Sequence, residues 1–331
     1  MAMSGDEENK DFKGELKKEN WAKKLGYEKD KVVILHADDA GMCMEANIAS
    51  LNFLQSNKNA SASAMPPCEY FEDFINMAIA NPGLDIGLHL TLNSEWDEYR
   101  WSSVMDNDKV QSLLDEHGFL WKKKQDFFQN AKLRDIDYEI RAQIEKCLEL
   151  GFRPTHFDTH MGALFLKPNV ASLFMSISEE YGIPANIINL SEESVKELYK
   201  AFDKEEVEGL IKALAKYPFP KLVHTGTINW PKEEPRKYSY KDIRKTFMKQ
   251  LDDLKDGITS MYAHPTIYSK NLTTIMGTWW KRVWEDLLFK DVTDFNWENK
   301  DIEFTNWSEI MKRYNRLYFD PKPPIKKQLS D

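Results

Sequence analysis

The sequence predicts an α/β fold, a (β/α) barrel of seven to eight strands that is distorted or incomplete. Three observations carry that expectation. Short apolar runs alternate with amphipathic segments along most of the chain, as parallel strands joined by right-handed helical crossovers do. The first run, Val32 to Ala37, is apolar almost without a break, which suits a strand covered by helices on both faces. Acids and histidines gather at the ends of these runs, where barrels place their chemistry. An open doubly wound sheet is the alternative architecture. Neither a GxGxxG after the first run nor a GxxxxGK[ST] occurs, so nucleotide binding finds no support.

Composition narrows the field further. The 331 residues are 42% hydrophobic and 30% charged, an ordinary globular balance. A net charge of −9 argues against nucleic acid as a partner. No apolar run approaches the roughly 18 residues of a membrane span. The polar start lacks the apolar core of a signal peptide, so the chain reads as cytoplasmic, or as extracytoplasmic if it begins after a removed leader. Cys43, Cys68 and Cys147 are odd in number and far apart, which is neither a disulfide framework nor a CxxC metal site. The expected organisation is a polar arm over 1–30, a single barrel domain over 31–318 and a flexible tail over 319–331. A homodimer is compatible with this composition.

Taken in order, the arm carries a short helix near Trp21. The strand Val32 to Ala37 leads to a helix over Met42 to Ser56, with Met44, Ile48, Leu51 and Leu54 at helical spacing. Ser61 to Met65 reads as a strand stopped by Pro66 and Pro67, and Tyr70 to Ala80 as a helix stopped by Asn81-Pro82-Gly83. Asp85 to Leu92 is a third strand. A long insertion follows through Trp121, opening with the aromatic stretch Ser94 to Trp101. Tyr138 to Leu150 is a helix ending at Gly151. Pro154 to His160 is a strand, Val170 to Glu180 a helix, Asn186 to Leu190 a strand, and Glu192 to Tyr217 two helices. The remaining elements are a strand over Lys221 to Ile228, a helix over Tyr240 to Leu254, a strand over Ile258 to His264, a tryptophan-rich helix over Trp279 to Leu288, a short strand over Ile302 to Thr305 and a helix over Trp307 to Leu317.

The polar residues at the strand tips form the pattern that matters. Asp38 and Asp39 end the first strand, His89 lies in the third, His156, Asp158 and His160 end the fourth, and His264 ends the strand before Pro265. In a barrel these tips converge on one face. Two imidazoles with one carboxylate leave coordination positions open, which suits a catalytic rather than a closed structural ion. Such an ion lowers the pKa of water from about 15.7 toward roughly 7, and a second carboxylate beside it serves as general base. Plainer readings stand beside this one. His117 and His224 read as ordinary strand or surface histidines. An Asp-Asp pair after a strand is also a common turn or cap. Trp96, Tyr99, Arg100 and Trp101 read either as a core edge or as a platform on which sugar rings stack.

At these residues the sequence resembles the YdjC-like carbohydrate deacetylases, the ChbG/HpnK family. Members carry Asn-Ala-Asp-Asp-Phe-Gly, then Gly-[LM]-His-Leu-Thr-Leu, then Thr-His-[FIL]-Asp-Ser-His, and a late His-Pro. Here these read HADDAG at His36 to Gly41, GLHLTL at Gly87 to Leu92, THFDTH at Thr155 to His160 and AHP at Ala263 to Pro265, in the same order. Asn47 matches a family asparagine in the first helix, and the resemblance spans roughly Val32 to Trp307. It implies a distorted barrel that removes acetyl groups from N-acetylated mono- or oligosaccharides with a divalent ion, zinc or magnesium foremost, with cobalt, manganese and nickel also compatible. Carried over residue by residue, Asp39, His89 and His160 match the metal ligands and Asp38 the general base, by analogy with NodB-type deacetylases. His264 is the candidate general acid. His36, His156, Asp158, Arg100, Trp96 and Trp101 are candidates for the surrounding shell or the substrate pocket. The departures are His36 for asparagine, Ala40 for phenylalanine, Met161-Gly162 where further histidines often follow, and Asn186 near a family arginine. They touch the pocket more than the ligand set. The rival functions are hydrolysis of another ester or a phosphoester, and sugar binding without catalysis. Phosphoester chemistry favours more positive charge than Arg100 and Arg153 supply near the motifs.

Overall fold

The computed structural model describes residues 19–230, 239–296 and 300–319. Most of the expected arm and tail lies outside these residues. Seven parallel strands make one curled sheet: β1 (Lys31–Ala40), β2 (Ala60–Ala64), β3 (Ile86–Leu90), β4 (Phe157–Thr159), β5 (His224–Thr227), β6 (Gly257–Ala263) and β7 (Ile302–Phe304). Their order is β4-β3-β2-β1-β6-β5, and β7 pairs the first three residues of β1. Single bridges from Phe157 to Ala185 and from Ile188 to Leu222 join the two ends of the sheet. The Asn186 to Leu190 stretch is therefore a seam rather than the expected strand. The Ile187 amide bonds the Ala185 carbonyl at 2.7 Å, a tight turn that breaks the extended run. This is the distorted barrel that the sequence predicts.

The helices are α1 (Trp21–Lys24), α2 (Met44–Ser56), α3 (Phe71–Ala80), α4 (Lys124–Asn130), α5 (Leu133–Glu149), α6 (Pro168–Tyr181), α7 (Glu192–Ala201), α8 (Lys204–Lys216), α9 (Tyr240–Asp252), α10 (Lys270–Ile275), α11 (Trp279–Thr293) and α12 (Trp307–Tyr318). The short helices α4 and α10 carry too little periodicity to be legible in the sequence. Helix α5 starts five residues before the expected Tyr138, because its polar first turn hides the buried Ile136. No helix among the described residues is long and apolar enough to cross a membrane.

Alternation along β1 sorts the core into two parts. Val33, Leu35 and Ala37 join the apolar layer between the sheet and its helices. Val32 and Ile34 point the other way, into a plug with Trp21, Leu25, Tyr27, Leu222, Ile258 and Trp307. Residues 19–30 thus carry core side chains despite their polar composition: Trp21 is 3% exposed and Ala22 is 0%. Above the plug, the same inward face turns polar. His36 and Asp38 on β1, Ser61 and Ser63 on β2, His89 on β3, and His156 and Asp158 at β4 are all buried. The apolar plug closes the lower end of the barrel, and the polar layers rise from it to the carboxyl ends of the strands.

Candidate active site

Regular alternation would send Asp38 and Asp39 to opposite faces of β1. The register of β1 against β2 shifts between Ala37 and Ala40, and Asp39 adopts φ +65°. This bulge delivers both carboxylates to the same cavity. Such a backbone costs about 1–3 kcal/mol at a non-glycine residue. The surroundings hold it in place. The Gly41 amide donates to Asn47 Oδ1 at 2.6 Å, and Asn47 Nδ2 donates to the Tyr70 carbonyl at 2.9 Å. Gly41 itself sits at φ +83° with room for no side chain, since a Cβ would lie 3.0 Å from the Phe71 Cα.

Asp39 is the centre of the site. Its Oδ2 accepts from Arg282 Nη2 at 2.7 Å. Its Oδ1 is buried without a hydrogen bond and lies 3.4 Å from His89 Nε2 and 3.2 Å from His160 Nδ1. Two ligand atoms about 2.0–2.1 Å from a common ion at tetrahedral angles stand roughly 3.4 Å apart. One carboxylate and two imidazoles at this spacing fit a divalent cation, with an orphaned oxygen aimed at the shared centre. Carboxylates fix the far sides of both rings, as is usual for metal-binding histidines. His89 Nδ1 pairs with Asp158 Oδ1 at 2.8 Å, and His160 Nε2 with Glu95 Oε2 at 3.0 Å. Ser63 Oγ donates to the other Asp158 oxygen at 2.9 Å.

Asp38 flanks this centre. Its Oδ1 pairs with His36 Nδ1 at 2.7 Å, and its Oδ2 lies 3.9 Å from His89 Nε2. Across the cavity, His264 follows the last residue of β6. Its backbone amide donates to Glu285 Oε2 at 2.7 Å, and its Nδ1 lies 3.4 Å from the same oxygen. Trp230 Nε1 donates to Glu285 Oε1 at 3.0 Å. Asp38, Asp39, His89, Asp158, His160 and His264 all line one cavity of about 410 Å³, together with Glu95, Lys124, Asn186, Ser260, Tyr262 and Arg282.

The charges in this cluster hold one another. Burial works to raise Asp39, but Arg282 and His160 outweigh it and keep the carboxyl well below its usual range. Burial works to lower His160, yet Glu95 and Asp39 bring it up to about 9. For His89 the Asp158 and Asp38 carboxylates overcome burial in the same way. His264 is raised because Glu285 offsets its burial, and Glu285 is lowered in turn by His264.

The other candidates fall in different places. His36 and His156 lie beneath the cavity, with their Nε2 atoms 2.7 Å apart. Trp101 sits edge-on to His160 at 6.1 Å, and its Nε1 donates to the Asn93 carbonyl at 2.8 Å. Trp96 meets the site through Arg282, whose guanidinium lies 5.4 Å from its ring. Arg100 is turned into its own loop, donating to Ser94 Oγ, Asp115 Oδ2 and the Leu120 carbonyl, away from the cavity lining. His117 and His224 are exposed and outside the site. No sequence motif marks Glu95, Arg282 or Glu285, which the fold brings to the site. Glu95 is one acid in an acidic, aromatic loop. Arg282 and Glu285 ride on a helix whose tryptophans dominate its pattern.

The model of the family described as YdjC-like protein matches residues 32–295. A carbohydrate deacetylase of Thermus thermophilus is 29% identical over 211 residues, which is 64% of this chain and 72% of that protein. A carbohydrate deacetylase of Thermoanaerobacter pseudethanolicus is 26% identical over 280 residues, 84% of this chain and 98% of that protein. An Enterococcus faecalis V583 structure, provisionally described as a cellobiose-phosphate cleavage protein, superposes with a TM-score of 0.65 at 20% identity. It covers 84% of this chain and 98% of its own, which confirms the fold. A family match over most of the barrel, containing all four strand-tip motifs, places this chain in the YdjC-like family.

Proposed function

We propose that the chain is a metal-dependent hydrolase that removes acetyl groups from N-acetylated mono- or oligosaccharides. The observation that carries this reading is the buried Asp39 Oδ1, without a hydrogen bond and facing His89 Nε2 and His160 Nδ1, with a second carboxylate beside it. Asp39, His89 and His160 hold the ion, and zinc suits this donor set best among the compatible divalent metals. When bound, such an ion supplies a Lewis acid for the acetyl carbonyl and lowers the pKa of water.

The chain's own residues do the rest. Asp38 accepts the proton of the attacking water as the general base. His36 already occupies its Oδ1, so Oδ2 is the oxygen free for that proton. His264, whose hold on its proton Glu285 strengthens, donates to the departing nitrogen. Arg282 sets the orientation of Asp39, while Asp158 and Glu95 set those of the two imidazoles. The names of the two deacetylase relatives support an acetyl group on a carbohydrate as the group removed.

The test separates bond types. Metal-replete protein is given N-acetylated, O-acetylated and phosphorylated sugars, and acetate and phosphate are measured. Acetate from the N-acetylated members is expected. Phosphate release, or acetate from O-acetyl esters alone, would overturn the amide reading.

A further inference from the structure

We propose that His36, backed by His156, is the positioning residue that fixes the base Asp38 in its catalytic orientation. The inference rests on the reading of Asp38 as base.

The geometry is a buried chain of hydrogen bonds running down from the cavity. Asp38 Oδ1 meets His36 Nδ1 at 2.7 Å, and His36 Nε2 meets His156 Nε2 at 2.7 Å. His156 Nδ1 meets Thr155 Oγ1 at 2.9 Å. The two rings stand edge to face, with centroids 4.9 Å apart and planes at 79°. The His156 ring has no room to swing. His156 stacks on the buried Trp307 at 5.6 Å. A Cβ at Gly87 would lie 2.6 Å from the His156 ring, so Gly87 is the space that the ring fills. His36 is 2% exposed and His156 is 0%.

The protons can be assigned from donor counting. A carboxylate only accepts, so His36 Nδ1 carries a proton and donates to Asp38. One proton must lie between the two Nε2 atoms. If Thr155 donates to His156 Nδ1, that proton belongs to His156 and both rings are neutral. If His36 is the imidazolium, the proton belongs to His36 and His156 donates to Thr155. Either arrangement gives Asp38 Oδ1 the same donor and leaves Oδ2 to the cavity. An asparagine amide could donate to Asp38, but it is shorter and lacks the opposed second nitrogen that braces His36 against His156.

The test compares His36→Ala and His36→Asn with the wild type, by kcat and KM for acetate release and by bound metal. His36→Ala is expected to lower kcat about 10- to 100-fold, the range for removing a partner that orients a metal-site group, while KM and metal content stay within about twofold. His36→Asn restores a donor and is expected to recover kcat to within a few fold of wild type. Unchanged kcat in His36→Ala, or loss of metal and fold along with activity in both variants, would overturn the proposal. Selective ¹⁵N-histidine labelling gives a readout that needs no activity. A slowly exchanging low-field imidazole N–H resonance is expected in the wild type, shifted by Asp38→Asn and absent in His36→Asn. Its absence from the wild type would overturn the positioning role even if the substrate proves different. Its presence without acetate release would instead overturn the proposed reaction alone.

Discussion

Replacing Arg282 by methionine keeps an unbranched apolar stem but removes the guanidinium charge that Asp39 faces. Asp39 is 1% exposed, and the Arg282 bond at 2.7 Å is the hydrogen bond that its Oδ2 accepts. At that separation the gross attraction is about 6 kcal/mol for an effective dielectric of 20. Part of it is returned because the guanidinium no longer has to be desolvated. Removing one partner of a buried pair usually leaves a net cost of about 3–5 kcal/mol, and this is the loss expected for metal-free Arg282→Met at neutral pH. Asp39 can relieve the strain by taking a proton, so the loss should shrink toward pH 4. A divalent ion replaces the missing positive charge. Zinc at about 100 times its Kd stabilises a binding protein by about 2.7 kcal/mol, and it should stabilise the variant more than the wild type. The assay is denaturant unfolding of both proteins with chelator and with excess zinc. A metal-free loss below about 1 kcal/mol, or a loss that zinc leaves unchanged, would refute the view that Asp39 is a buried cation site balanced by Arg282.

Three further predictions concern other parts of the molecule. Asp38→Asn should reduce turnover at least about 100-fold, within the usual contribution of general acid–base catalysis, with stoichiometric metal retained, whereas His160→Ala should lose the metal; metal analysis beside kinetics separates the two. Gly87→Ala should destabilise the protein by about 1–3 kcal/mol through overpacking, because the new methyl meets both the His156 ring and the His156 carbonyl at 2.6 Å; an unchanged melting temperature would contradict it. Glu139 is buried, and burial pushes it up to about 7 against the amides of Val104 and Met105 and the Gln143 side chain. Its folded pKa exceeds its unfolded value, so the native state binds the extra proton and this group's contribution falls as pH rises from about 4 to about 7. The stability of Glu139→Gln relative to wild type should therefore rise by up to about 3 kcal/mol between pH 4 and pH 8, from 1.36 kcal/mol per unit; a difference independent of pH would contradict the assignment.

Periodicity and punctuation made most of the barrel legible. The helix ending at Gly151 shows Ile136, Ile140, Ile144 and Cys147 buried along one face. The apolar Val32 to Ala37 run is the central strand, paired with β2, β6 and β7. Spacing could not reveal the bulge at Asp39, because two adjacent residues on a strand should face apart, and only the φ of +65° brings both acids to one cavity. The seam at 185–188 has the composition of a strand and fails to be one because of its own tight turn. Motif order marked Asp39, His89 and His160, which the fold brings within reach of one ion. Their supporting charges were invisible for a physical reason. Glu95 and Arg282 arrive from an irregular insertion and a crossover helix, where no period or motif sets their position. Polar side chains hold that insertion in place: Glu139 accepts from the Val104 and Met105 amides, and Arg100 pairs with Asp115. Such pairings are long-range and leave no mark on local sequence.

The central claim is best tested by acetate release from N-acetylated mono- and oligosaccharides, using protein stripped of metal and then reloaded with zinc, cobalt, manganese, nickel or magnesium. Acetate is expected from at least one sugar, with none from the stripped protein and none from Asp38→Asn with its metal in place. Stoichiometric metal bound through His89 and His160, with no acetate from any member of the panel, would contradict it.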